Sequence, residues 1–256
     1  MRNASLLSAL GLLLAAGSAQ AETVRLTVTV QNLAPANGIA FAPLHVGFGA
    51  GSFDAFNLGA AAIAPIISVA EGGAGGAWQA AFAAAEPDAV RGTIGGLLLS
   101  GASAQMSFLV DSASQGFFTF ASMVVPSNDF FIGNDDPREY ALFDANGALQ
   151  INQITLRANE IWDAGSEVFD PTAAAFVGDN GLRTDQNSVV AFNFAELAAF
   201  NGLLTGAGYN FQSGLGADSE VYRISFTAQP VPEPASIAML LAGLGVVGAS
   251  LKRRRG

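Results

Sequence analysis

The chain of 256 residues contains no cysteine, so its fold must be held by packing or by bound ions, without disulfides. It has one histidine, His45, in an apolar stretch, which leaves too few partners for a zinc site or a His-based triad. Lysine occurs once, at Lys252, and charged residues make up only 12% of the chain. With 51% hydrophobic residues, that composition excludes an intrinsically disordered protein. No Gly-x-Ser-x-Gly elbow presents a hydrolase nucleophile. The "GGAGG" at 72–76 lacks the Lys-Ser/Thr of a phosphate-binding loop. There is no internal repeat and no EF-hand loop.

The charges that are present divide unevenly. Between the two ends of the chain the only cations are six arginines, at 25, 91, 138, 157, 183 and 223. Twenty carboxylates from Glu22 to Glu220 oppose them, a net charge of −14. Such a body repels nucleic acid and anionic lipid and attracts cations.

Both ends read as address labels. Arg2, an apolar run over 6–16 and the small residues Ala19-Gln20-Ala21 form a secretory signal peptide over 1–21, cleaved after Ala21. At the other end, 236–251 is sixteen residues without charge, about 24 Å long as a helix. That is short for a hydrocarbon core of roughly 30 Å, and snorkelling basic side chains make up the difference. Lys252, Arg253, Arg254 and Arg255 follow and hold that end on the cytoplasmic side, so the segment acts as a transmembrane stop-transfer helix. The order Val231-Pro232-Glu233-Pro234, short apolar helix, basic cluster over 230–256 resembles the PEP-CTERM sorting signal of Gram-negative bacteria. That resemblance implies recognition by an exosortase, an inner-membrane intermediate, and delivery to the cell surface or the exopolysaccharide matrix. A plain permanent anchor is the alternative.

The remaining body, 22–229, is long enough to bury one sizeable core. "TVRLTVTVQNL" (23–33) alternates with Val24, Leu26, Val28 and Val30 on one face, a half-buried strand. Further strands are expected over 39–49, 104–111, 116–125, 151–158 and 221–228. "SASQ" (112–115) between two of these predicts a hairpin. Short helices are expected before Glu71, in 77–86 and in 193–204. The pattern predicts an all-β, antiparallel β-sandwich with a few short helices.

Nine of the twenty carboxylates fall within 129–170, mostly in loops, as a hard cation such as calcium would require. A solvated acidic surface is the plainer alternative. "SMVVPSNDFFIGNDD" and "EIWDAGSEVFD" together resemble the spondin domain of F-spondin and mindin. Ser122, Met123, Pro126, Ser127, Asp129, Phe130, Phe131 and Gly133 match its first motif. Trp162, Asp163, Ala164, Gly165 and Glu167 match its second. The resemblance implies a β-sandwich related to calcium-dependent membrane-binding modules, with Asp129 and Asp163 as the first ligand candidates and Glu167 and Asp135 next. Asn128 and Phe130 depart from the animal pattern, as does the lack of cysteine.

The expected function is a non-enzymatic surface or matrix adhesion module, calcium-stabilised, whose partner is a polysaccharide or a surface protein. A carboxylate-based hydrolase of matrix polysaccharide is the alternative from another class, and a structural matrix filler is a third.

Overall fold

Ten residues, Thr23–Asn32 (β1), open the described part of the molecule, and every second one is buried. Val24, Leu26, Val28 and Val30 are all at most 4% exposed, as the alternation predicts. The computed structural model describes residues 23–231. The signal peptide with Ala19 and Ala21, sorting residues Pro232, Glu233 and Pro234, the apolar segment 236–251 and the basic tail lie outside those residues. Among the described residues no helix is long and apolar enough to cross a membrane.

After β1 come Ala40–Phe41 (β2) and Leu44–Gly49 (β3), one predicted strand interrupted at Ala42-Pro43. Two helices follow, Ala64–Gly72 (α1) and Gly76–Ala85 (α2). Pro65 sits in the first turn of α1, where its missing N–H costs nothing. Gly73, at φ 64°, ends that helix by donating its N–H to Val69. The remaining strands are Val90–Ile94 (β4), Ser103–Asp111 (β5), Phe117–Val125 (β6), Phe130–Gly133 (β7), Tyr140–Ala141 (β8), Gln153–Arg157 (β9), Trp162–Asp163 (β10), Ala191–Phe192 (β11) and Glu220–Pro230 (β12).

These strands make two sheets, and neighbouring strands run antiparallel throughout. One has the order β5-β1-β12-β9; the other runs β11-β10-β7-β6-β3-β4, with β2 and β8 also paired to β6. The inner faces meet in the main core, where Phe118 packs edge-on against Phe226 and Phe41 lies 4.4 Å from Tyr222. The all-β sandwich with short helices is therefore the architecture.

The larger sheet is covered on its other face as well. There α1 and α2 enclose a second core with Phe53, Phe56, Ile66, Trp78, Phe82, Phe131 and Trp162. This explains why eight of the nine residues of β6 are buried in succession, since a strand with apolar layers on both sides needs no polar face. The same layering overturns the hairpin expected at 112–115. β5 pairs with β1 in the small sheet, whereas β6 joins the large one, so the connection crosses between sheets. β5 exposes Leu109 to solvent and β6 exposes almost nothing, so the two belong to different layers.

Helix α2 approaches β3 so closely that Gly47 has no room for a side chain. A Cβ there would lie 2.4 Å from the Phe82 ring. Gly47→Ala should destabilise the fold by roughly 1–3 kcal/mol, as overpacking does, and lower the melting temperature. Pairing it with Phe82→Leu should recover part of the loss in the same thermal melt.

The register also places the two ends of the body together. Val24 pairs with Pro230, and the Val231 N–H donates to the Thr23 carbonyl at 3.0 Å. β12 thus runs one residue beyond the expected boundary at 229, and the first sorting residue is tied to the sheet. The opposite end of the sandwich carries Asn32, Tyr222 and Val125.

Candidate functional site

At that opposite end the two signature segments meet. Asp129 immediately precedes β7, Asp163 closes β10, and the two strands pair with Asp163 opposite Phe130. The Asp129 carbonyl accepts the Ala164 N–H at 3.1 Å. Its carboxylate Oδ2 accepts the N–H groups of Ser166 (2.6 Å) and Glu167 (3.0 Å) and the Ser166 hydroxyl (3.2 Å). Asn128 makes reciprocal bonds with the Asp170 backbone. Ser127 Oγ accepts the Phe130 N–H. Gly165 is required for the turn: it has φ 66°, and a Cβ would lie 2.7 Å from the Val189 carbonyl.

Asp129, Asp163 and Glu167 line one cavity of about 40 Å³ together with Glu196, Asn128 and Gln186. Asp163 spends one oxygen on the Gly165 N–H (2.7 Å) and the other on Asn193 Nδ2 (3.1 Å). Glu167 is different: it is 2% exposed, and neither carboxylate oxygen receives a hydrogen bond. Arg183 Nη1 stands 3.6 Å from Glu167 and 3.1 Å from Glu71 of α1, which links that helix to the site. Among the described residues no three acidic or imidazole side chains already enclose a point as a metal cage.

The electrostatics follow from crowding in a dry place. Burial, aided by the neighbouring Asp163 charge, raises the Asp129 carboxyl to about 6 against the Ser166 and Glu167 hydrogen bonds. Burial and the Glu71 charge raise Glu167 to about 7, with Arg183 opposing them. Burial likewise raises Glu196.

Asp135 does not join this group. It follows β7 where Asp129 precedes it, and the four-residue strand, about 13 Å long, lies between them. Its Oδ1 instead accepts the Leu58 N–H at 3.1 Å. Sequence spacing overlooked Glu196, Gln186 and the Glu71–Arg183 pair. They come from a 3₁₀ turn (Ala195–Phe200), an irregular segment and α1, and nothing in their local sequence marks them.

His45 is structural, as expected. It is 4% exposed, with Nε2–H donated to the Gly73 carbonyl and Nδ1 facing the Thr93 hydroxyl, both at 3.1 Å. Trp162 precedes Asp163 on β10 and packs into the second core, stacked 3.8 Å from Phe192, with Nε1–H on the Gly133 carbonyl.

Comparison with curated proteins finds no match for this chain. Residues 230–255 match the family model for the PEP-CTERM protein-sorting motif. The match covers none of the body, and no family model bears on the spondin likeness there. The chain therefore carries a PEP-CTERM sorting signal, the mark of an exported protein held at the membrane until an exosortase processes it.

Proposed function

We propose that the body is a non-enzymatic, spondin-like adhesion module of the cell surface or exopolysaccharide matrix, with one calcium ion bound at the end remote from its sorting signal. The observation that carries the ion is Glu167, a buried carboxylate whose two oxygens lack hydrogen-bond donors and whose cationic neighbour Arg183 stands 3.6 Å away, shared with Glu71. A group in that state either takes up a proton or meets a cation. Asp129, Asp163, Glu167 and Glu196, with the amide oxygens of Asn128 and Gln186, would hold the ion. Such an all-oxygen set suits calcium. Binding would draw these side chains inward from where they stand and would tie β7, β10 and the 163–170 loop together.

A cavity of about 40 Å³ has room for an ion and not for a sugar ring, which favours this reading over the carboxylate-based hydrolase. The sorted terminus leaves from the other end of the sandwich, so the acidic end would project outward.

Calorimetric titration of calcium into the purified, chelator-treated chain tests the ion. Heat should appear with the wild type and vanish in Glu167→Gln. The ion-free variant should melt no lower than the ion-free wild type, because it removes a buried charge. Equal calcium heats in both proteins, or none in the wild type, would remove the ion from this reading.

A further inference from the structure

The outer face of the four-stranded sheet differs in charge from the rest of the molecule. On β5, β1, β12 and β9 the inward residues are apolar and mostly buried, Met106 on the edge strand β5 being 40% exposed, while the outward ones, apart from Leu109, are serine, threonine, glutamine and arginine until the rim. Among the described residues no helix or strand covers them. Among the described residues carboxylates enter at the two ends of the face, as Asp111 on one side and Asp218 and Glu220 on the other.

Three of the six body arginines, Arg25, Arg157 and Arg223, lie on this face. The other three are engaged elsewhere. Arg91 donates to the carbonyls of Glu86 and Ala89, Arg138 lies over the Phe117 ring, and Arg183 bridges Glu71 and Glu167. The ion pairs on the face are weak. Arg157–Asp218 is 3.6 Å between side chains 51% and 85% exposed, and Arg223–Glu220 is 3.4 Å, separations at which such pairs contribute little. Arg223 Nε has no hydrogen-bond partner, and Arg25 makes no salt bridge among the described residues. By register Arg25 lies opposite Gln229, six residues along β12 from Arg223, or roughly 20 Å away.

We propose that this face is a docking platform for an anionic polysaccharide. The platform would bind acidic groups with the guanidinium forks at its two ends and sugar hydroxyls with the Ser/Thr/Gln rows between them. Guanidinium groups match carboxylate and sulfate geometry in a way a compact ammonium does not. Elsewhere the carboxylate-rich body repels a polyanion, so charge directs such a chain to this face. A lipid bilayer fits less well, because the face offers only Leu109 as an apolar outward side chain. The proposal rests on the export reading and is independent of the calcium site.

The test is binding of the purified full-length chain, with chelator present throughout, to immobilised polygalacturonate, neutral dextran and phosphatidylglycerol vesicles. Wild type should bind polygalacturonate and release it in high salt. The Arg25→Gln/Arg157→Gln/Arg223→Gln variant should bind at least tenfold more weakly. The basic tail is common to both proteins and cancels. If the triple variant melts lower, Arg25→Gln alone must still weaken binding, since Arg25 is exposed. Equal binding by wild type and variant, no binding to polygalacturonate, equal binding to dextran, or a stronger arginine-dependent capture of the vesicles would each overturn the platform. Failure here with calcium heats intact would sink the platform and leave the acidic site standing.

Discussion

Calcium should raise the melting temperature strongly at pH 8 and scarcely at pH 5. At the proposed site the ion and the proton would compete for Asp129 and Glu167, whose carboxyls are raised to about 6 and about 7. At pH 5 both are largely protonated, which should weaken calcium binding by roughly a thousandfold relative to pH 8. At a calcium concentration a hundred times its dissociation constant, the stabilisation at pH 8 is about 2.7 kcal/mol. For a body of this size that corresponds to roughly 5–10 °C.

Without the ion the slope should take the opposite sign. A carboxyl with a raised folded-state pKa binds more protons folded than unfolded. Its destabilising effect therefore grows as pH rises from the ordinary carboxylate range through about 7. Glu167→Gln removes one such group, so its stability relative to chelated wild type should improve by on the order of 1 kcal/mol between pH 6 and pH 8. His45, whose pKa burial lowers, works the other way below its ordinary value, but it is common to both proteins and cancels. Thermal melts at three pH values, with and without calcium, provide the check. A calcium shift of equal size at pH 5 and pH 8 would place the ion away from these carboxylates.

The second large effect should come from Glu86→Ala, expected to cost roughly 3–5 kcal/mol and about 10 °C in melting temperature. Glu86 is 7% exposed at the end of α2, and its carboxylate accepts the backbone N–H groups of Ala50, Ser52 (2.6 Å) and Phe53 (2.8 Å) and the Ser52 hydroxyl (3.0 Å). It thereby clamps the chain leaving β3 to the helix layer. Burial works against its ionisation, yet these hydrogen bonds outweigh burial and hold its pKa below the usual value. Its contribution is present above the ordinary glutamate pKa and is lost as pH falls through the lowered one. Alanine would leave three N–H groups without their acceptor, that of Phe53 buried and those of Ala50 and Ser52 partly so. Glutamine keeps one acceptor oxygen and turns its amide hydrogens toward donors, so it should fall between the two. An alanine variant within 1 kcal/mol of wild type in denaturant unfolding would refute the clamp.

Glu86 also marks where local sequence stops being informative. Nothing around "AAAEPD" distinguishes it from a solvated helix-end glutamate. Its partners lie more than thirty residues upstream and are brought to it only by packing of α2 on β3. Glu196 and Arg183 reach the acidic cavity in the same way. By contrast, Asp129, Asp163 and Glu167 were legible because two short segments carry them in recognisable order. Asp135 carried the same acidic signal, and the length of β7 separates it from the others.

The strand alternation of 23–33 and 151–158 was written in period-two patterns, because one face of each strand meets the core and the other meets water. The sorting signal was equally plain, since a membrane enzyme must read it as a linear segment. The sequence by itself thus determined the sandwich class, the acidic body and the address. Tertiary structure alone decided that β5 and β6 belong to different sheets, that four scattered carboxylates share one cavity, and that three arginines balance three carboxylates on one face of an otherwise acidic body. Sheet assignment, burial and surface charge depend on which distant segments become neighbours, and a pattern confined to ten residues carries no information about that.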